Sequence, residues 1–318
     1  VRLSQGAPGA KVLAFGGYQP ADVVTNEDLA KRIETSDEWI QSRVGIKERR
    51  VAGPQESEID LAVQAGGKAL AASGLAAGDI DLVIVATCTL EAQIPNAAAR
   101  VAHRLGIAAP GAFDVNAACA GFCYALSAAS DAVRAGSATN VLVVGTEKLS
   151  QWIDWDDRAV SVIFADGAGA AVVGPSETPG IGPVVWGSAG DKADVIAIRN
   201  RESFLQQEGQ TVFRWATTAL HPVASLACER AGVDPAELAA FVPHQANLRI
   251  IEAIARKIGA DNAVVAKDIV LAGNTSAASI PLALSRMIER GEVPSGGLAL
   301  LLGFGAGLTY ASQVVEIP

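Results

Sequence analysis

Runs of apolar, β-prone residues recur along the chain, separated by longer helical patterns. The runs cover 82–86, 141–145, 168–173, 240–243, 298–302 and 312–317, and the helical patterns cover about 59–73, 95–105, 119–135, 211–231, 247–258 and 277–290. Leu82-Val-Ile-Val-Ala86 and Leu298-Ala-Leu-Leu-Leu302 show no alternation of apolar with polar residues. Such strands need cover on both faces, which means a sheet sandwiched by helices. Strands of this kind interleaved with helices predict an α/β fold.

The order of elements repeats. Cys119 and Asn274 lie in similar strand-to-helix turns 155 residues apart, and Gly145 and Gly303 end similar strands 158 residues apart. A near-constant offset predicts duplication of one α/β unit. The turn-rich segment Gly174-Pro-Ser-Glu-Thr-Pro-Gly180 is the natural seam. The reading is a first half over 1–175 carrying the cysteine and a second over 176–318 carrying the histidine and asparagine. Ligands in such folds collect at strand ends near the seam.

Composition narrows the function classes. The 318 residues are 50% hydrophobic with few aromatics and 32 glycines, which suits close packing and argues against disorder. A net charge of −9 argues against generic nucleic-acid binding. No run reaches the ~18 apolar residues of a membrane span, so no membrane association is expected. The opening Val1-Arg-Leu-Ser-Gln-Gly6 lacks a signal-peptide core and an initiator Met. Cys88, Cys119, Cys123 and Cys228 form no CxxC or zinc spacing and read as reduced thiols of a cytoplasmic protein. No metal, nicotinamide or flavin motif is present, so no cofactor is expected.

Cys119, in Asp114-Val-Asn-Ala-Ala-Cys-Ala-Gly-Phe122, precedes a long helical pattern. Backbone N–H groups and the helix dipole at such a place favour the thiolate nucleophile; a small residue filling space before a helix is the alternative. Of the three histidines, His103 reads as a surface helix residue and His221, before Pro222, as structural. His244, in Val242-Pro-His-Gln-Ala-Asn247, follows a strand and introduces a helix that Asn247 can cap. Asn274, in Gly273-Asn-Thr-Ser-Ala-Ala-Ser279, could be an ordinary cap; what favours chemistry is the trio. Cysteine supplies a nucleophile, and histidine and asparagine supply N–H donors toward a carbonyl oxygen. Gly303-Phe-Gly-Ala-Gly307 lacks the Lys-Ser/Thr ending of a phosphate loop and runs into another strand. It either brings an amide to the Cys119 sulfur or serves packing alone.

These motifs resemble the β-ketoacyl-acyl carrier protein synthase III family: Asn116-Ala-Ala-Cys-Ala-Gly-Phe122, Val242-Pro-His-Gln-Ala-Asn-Leu-Arg-Ile-Ile251 and Gly273-Asn-Thr-Ser-Ala-Ala-Ser279. Thr35-Ser-Asp-Glu-Trp-Ile40, Arg43-Val-Gly-Ile46 and Phe164-Ala-Asp-Gly-Ala-Gly169 follow the same pattern, so the likeness runs in order from about residue 12 to the C-terminus. It implies the thiolase fold, a duplicated α-β-α-β-α sandwich, and a homodimeric acyltransferase. By the same resemblance Cys119 accepts an acyl group from acyl-CoA. His244 and Asn274 then stabilise the enolate left when malonyl-acyl carrier protein loses CO2, and the Cys119 and Ala306 amides hold the oxyanion. Thr35, Trp39, Arg43, Arg158 and Asn247 fall on CoA-binding positions, with Trp39 and Arg158 flanking adenine. Arg214, Arg249, Arg256 and Lys257 form the patch for the acidic carrier protein. Ile94 and Phe164 fall on acyl-pocket positions, and Ile94 stands where some members close the neighbouring subunit's pocket with an aromatic. That leaves room for branched or longer primers.

By the same resemblance, the segment between Gly190 and Phe213 borders the substrate channel and reads as shorter than expected for many relatives. Either the loop is short or residues are missing, so the channel's shape stays open. Polyketide-priming ketosynthases and long-chain acyl-CoA condensing enzymes share the trio and are the alternative readings. A non-condensing acyltransferase would not need the His244 and Asn274 donors.

Overall fold

A computed structural model describes residues 4–318. Its two five-stranded sheets are built from β1 (Gly9–Tyr18), β2 (Leu82–Ala86), β3 (Gly111–Val115), β4 (Val141–Lys148) and β5 (Asp166–Ser176), then β6 (Val185–Ser188), β7 (Leu238–Pro243), β8 (Val264–Val265), β9 (Leu298–Gly305) and β10 (Thr309–Glu316). The first sheet has the order β1-β5-β4-β2-β3, with β4, β2 and β3 parallel and antiparallel pairing of β5 with β4 and with β1. The second repeats it as β6-β10-β9-β7-β8 with the same directions. The duplication expected from the residue offsets is therefore present in the topology.

The main helices are α1 (Asp37–Val44), α2 (Glu58–Ser73), α3 (Ala97–Arg104), α4 (Gly121–Ala135), α5 (Gly209–Ala231), α6 (Leu248–Ala255) and α7 (Ser279–Glu289). Successive residues of a strand point to opposite faces, which explains the continuous apolar runs. Val141 and Val143 of β4 enter a central core with Phe122 and Leu126 of α4, Ile280 and Leu284 of α7, and Ala299 and Leu301 of β9. Leu142 and Val144 face outward onto Leu61 and Ala65 of α2. Leu300 and Leu302 face outward onto Leu220 of α5 and Ile254 of α6. The layers thus run α2/α3, sheet, α4/α7, sheet, α5/α6. Close approach of the middle layer needs Gly145, where an added Cβ would lie 2.4 Å from the Ala277 carbonyl oxygen.

Each of the six apolar runs lies in or overlaps a strand, though β4 continues to Lys148, and β5 and β9 are also longer than expected. Strands β1, β3, β6 and β8 were not expected. The apolar pattern of β1 is interrupted by Gly16 and Gly17, β8 is two residues long, and β3 is a half-exposed edge whose Phe113 is 41% exposed. Among the described residues no helix is long and apolar enough to cross a membrane.

Candidate active site

The parallel strands of each half end in polar turns, and those turns meet. Cys119 lies between β3 and α4, and Asn274 occupies the corresponding turn between β8 and α7. His244 instead follows β7, so its counterpart in the first half is Cys88 after β2, not Cys119. All four residues line one cavity of about 1120 Å³.

Cys119 sits in a short 3-10 turn, Ala118–Ala120, before α4 begins at Gly121. Ala118 takes a left-handed φ of 44°, and the Asn116 side chain accepts from its N–H at 3.3 Å. Ser276 takes φ 49° in the matching turn of the second half. A non-glycine residue in this region costs ~1–3 kcal/mol, so both turns are held by the structure around them. The end of β9 presses against the nucleophile: a Cβ on Gly305 would lie 2.6 Å from the Cys119 Cβ and 2.9 Å from its sulfur.

The expected thiolate is not what the resting site stabilises. Burial pushes the Cys119 thiol up to about 12, against the Ser276 hydroxyl and the Cys119 and Ala306 amides, which favour the anion; the Glu147 charge adds to the rise. The sulfur precedes the α-helix proper by two residues and sits on a desolvated floor, and desolvation outweighs the helix terminus. The two amides that face it are those expected to hold an oxyanion.

His244 is 1% exposed, and burial lowers its pKa to about 3, so the imidazole is neutral. Its Nδ1 lies 2.7 Å from the Ser279 hydroxyl, which already accepts the Gln245 N–H at 3.2 Å. With the serine hydroxyl donating to Nδ1, the ring proton sits on Nε2. Phe304 packs edge-on to the ring at 5.2 Å between centroids. Asn274 Oδ1 accepts the Ser276 N–H at 2.8 Å, which leaves Nδ2 as a free donor. The Asn274 backbone bridges to the first half: its N–H donates to Ile163 O at 2.9 Å, and its carbonyl accepts from Ala165 N at 2.9 Å.

Trp39, Arg43, Arg158, Arg214, Asn247 and Arg249 also line the cavity, and so does Phe164. Arg158 stacks on Trp39 with its guanidinium carbon 4.6 Å from the ring centroid, while Arg43 lies 5.8 Å away. A ring inserted between Trp39 and Arg158 needs ~3.5 Å on each side, so Arg158 must move outward to admit one. Asn247 caps α6 by accepting from Arg249 N at 2.9 Å, and its amide also donates to Arg43 O at 3.1 Å. Arg249 covers Phe213 at 5.1 Å.

Thr35, Ile94, Arg256 and Lys257 do not line the cavity. Thr35 is half-buried just before α1. Arg256 and Lys257 are exposed at the end of α6, and Lys257 donates to Thr217 O at 2.6 Å. Ile94 is 87% exposed, so within one chain it closes no pocket. Residues Ile196, Ile198, Leu205 and Gln207 of the segment that reads as short do border the cavity. Cys88, Ser276 and Phe304 were passed over, although Cys88 directly follows a buried parallel strand, the usual address of functional groups in such sheets. Among the described residues no cluster of His, Cys, Asp and Glu could hold a metal ion.

Two sheets of one topology, packed about a shared helical layer with the reactive turns of both halves opening into one cavity, define a thiolase-fold condensing enzyme. A family model described as 3-oxoacyl-[acyl-carrier-protein (ACP)] synthase III matches residues 113–190, and its C-terminal model matches 228–317. Beta-ketoacyl-[acyl-carrier-protein] synthase III 4 of Streptomyces coelicolor is 58% identical over 98% of this chain and 99% of its own. The priming beta-ketosynthase of the R1128 polyketide biosynthetic pathway superposes with a TM-score of 0.97 at 44% identity, covering 100% of this chain and 98% of that one. The synthase III of Aquifex aeolicus gives 0.92 at 40% identity, covering 97% and 100%. The chain belongs to the β-ketoacyl-acyl carrier protein synthase III family and is an acyltransferase.

Proposed function

We propose that this chain joins an acyl-CoA primer to malonyl-acyl carrier protein through a Cys119 thioester, opening fatty-acid synthesis. The observation that carries this reading is the convergence of the Cys119 sulfur, a neutral His244 and the free Asn274 amide on one cavity. In the first step the sulfur attacks the primer carbonyl, the carbon–sulfur bond to CoA breaks, and CoA departs. Malonyl-carrier then enters and loses CO2. The electron pair passes into an enolate whose oxygen receives hydrogen bonds from His244 Nε2 and Asn274 Nδ2. The enolate carbon attacks the Cys119 thioester, and the tetrahedral oxygen rests on the Cys119 and Ala306 amides until the thiolate is expelled. No cofactor enters these steps. Incubation with labelled acetyl-CoA and malonyl-carrier protein should yield CO2 and a β-ketoacyl product; acylation of Cys119 without condensation would overturn the reading. The 58% identical relative bears the synthase III name, which favours fatty-acid initiation over polyketide priming.

Trp39, Arg43, Arg158 and Asn247, with Thr35 behind them, are assigned to CoA. Arg214, Arg249, Arg256 and Lys257 are assigned to the acidic carrier protein, a local basic rim on a chain of net charge −9. Arg249→Glu is expected to slow malonyl-carrier turnover at least tenfold at low salt, since it reverses a charge in the docking rim. Acetyl-CoA labelling of Cys119 should remain within about threefold, because that step does not involve the carrier. Equal loss of both steps would count against the docking role.

The half-exposed edge strand β3 and the exposed Ile94 support a homodimer in which Ile94 reaches the neighbouring acyl pocket, alongside Phe164. Sedimentation checks the assembly, and comparison of acetyl-, isobutyryl- and hexanoyl-CoA checks the primer; a monomer with unaltered primer choice would remove Ile94 from the pocket. Four free cysteines suit a reducing cytoplasm, which cell fractionation checks.

A further inference from the structure

The Asn274 side chain can serve an enolate from one end only. Its Nδ2 must face the cavity, because Oδ1 there would set lone pairs against the developing negative charge. What settles its direction is Ser276, whose backbone N–H donates to Oδ1 at 2.8 Å. Ser276 holds that place with a φ of 49°, a left-handed backbone that a serine seldom adopts unaided. Its hydroxyl reaches out of the second half and donates to Glu147 Oε1 at 3.0 Å, near the end of β4 in the first. Glu147 is fully buried and is itself held. Its carboxylate accepts from Thr89 Oγ1 at 2.7 Å, Thr87 Oγ1 at 3.1 Å and the Cys88 amide at 3.1 Å. It makes no ion pair among the described residues: the neighbouring Lys148 ammonium turns away to the Gly53 and Glu56 carbonyls, at 3.0 and 2.8 Å. A buried carboxylate without a counter-charge is expensive, and an apolar side chain would serve packing better.

The duplicated frame supplies a comparison. Asn116 and Asn274, Ala118 and Ser276, and Glu147 and Gly305 are each 158 residues apart, the same offset as Gly145 and Gly303. Asn116 makes the matching turn: its Oδ1 accepts the Ala118 N–H, and Ala118 takes a φ of 44°. There the tether is missing, since Ala118 has no hydroxyl and Gly305 has no side chain. The hydrogen bond of that turn is 3.3 Å against 2.8 Å, and Asn116 is exposed where Asn274 is buried. The hydroxyl–carboxylate pair serves only the turn whose asparagine is assigned to the enolate.

We propose that Glu147 and Ser276 are positioning residues for decarboxylation, clamping the Asn274 turn so that Nδ2 faces the malonyl thioester oxygen. The clamp crosses from one half of the molecule to the other. Glu147 touches no substrate and moves no proton; it holds a hydroxyl. Acylation of Cys119 does not use Asn274, so the clamp bears on the second step alone.

The inference rests on the malonyl reading above, and a structural readout separates the two. Release of labelled CO2 from malonyl-carrier protein should fall at least tenfold in Glu147→Leu and in Ser276→Ala, through kcat with KM held. Labelling of Cys119 by acetyl-CoA should fall no more than about threefold in Glu147→Leu. Glu147→Gln should keep CO2 release within about threefold, because an amide can hold the Ser276 hydroxyl through its oxygen or its NH2. In an Asn274→Ala background, Glu147→Leu or Ser276→Ala should cost no more than about twofold further. Crystal structures of the two variants should show the turn relaxed and the Asn274 amide rotated. A full further loss in the Asn274→Ala background would overturn the proposal, and so would an equal loss of acetyl labelling in Glu147→Leu. A fall in Glu147→Gln as deep as in Glu147→Leu would overturn it as well, assigning the effect to the charge. If Glu147→Leu does not fold, Ser276→Ala and Glu147→Gln carry the rate tests. Asn274 Oδ1 still on the Ser276 N–H in the variant crystals would overturn the clamp whatever the rates. Wild-type enzyme that releases no CO2 would remove the malonyl reading, and the crystal structures alone would then decide the clamp.

Discussion

Gly305→Ala is expected to abolish self-acylation nearly as completely as removing the sulfur. The backbone at Gly305 is extended, with φ at 175°, so glycine is needed for space and not for conformation. An added methyl would meet the Cys119 Cβ, sulfur and amide nitrogen at 2.6, 2.9 and 3.2 Å. None of these is the far end of a flexible side chain, so the strand or the nucleophile turn must shift. Overpacking of this kind costs ~1–3 kcal/mol of stability, and a displacement of about 1 Å at a reacting group costs ~10² in rate. Labelling of Cys119 by acetyl-CoA should fall at least 10²-fold, and the thermal midpoint should drop. Wild-type labelling in a folded variant would show that the cavity floor recoils freely and that the close approach has no part in setting the nucleophile.

His244→Ala and Asn274→Ala are each expected to lower malonyl decarboxylation ~10²–10³-fold, the loss typical of one donor to a developing oxyanion. Self-acylation should change only a few-fold. Because both donors address one oxygen, the double variant should lose less than the product of the single losses. Burial holds His244 near 3, so its protonation should leave no limb in the decarboxylation profile between about pH 5 and 8. The same shift links to stability. In the unfolded chain His244 titrates at ~6.5, so its contribution is complete above that pH and shrinks as pH falls toward about 3. Release of labelled CO2 measures the catalytic effect. An equal loss of self-acylation would assign both residues to holding Cys119, and a limb near pH 6.5 would mean a solvated imidazole.

Much of the scaffold was legible because its strands are buried on both faces. Runs such as Val141–Val144 must be apolar at every position when alternate residues feed different layers, and that signal survives in a single sequence. The edge strand Gly111–Val115 carries no such signal because it is only half-buried, and Gly9–Tyr18, though largely buried, is masked by Lys11 and the glycines at 16 and 17 that interrupt its apolar pattern. Cys119, His244 and Asn274 were legible because each is a chemically capable residue in a polar turn after a strand. The state of the thiol was not, because it depends on desolvation by chain segments that only the fold brings around it. Glu147 was also missed. It stands in a strand whose apolar run ends at Gly145, and only the folded chain brings Ser276, 129 residues away, to its carboxylate.

The β-bridge between Phe164 and Asn274 gives the molecule a property beyond its chemistry. The asparagine that donates into the cavity is seated by backbone bonds to the opposite half, and Cys119 in turn meets Gly305 across the same boundary. Neither half holds a working fragment of the site. A chain whose two sheets have formed but not yet docked would therefore be rich in secondary structure and chemically inert. Turnover in this protein is a report of the docking itself, and weakening the boundary between the halves would silence the enzyme before it unfolds either one.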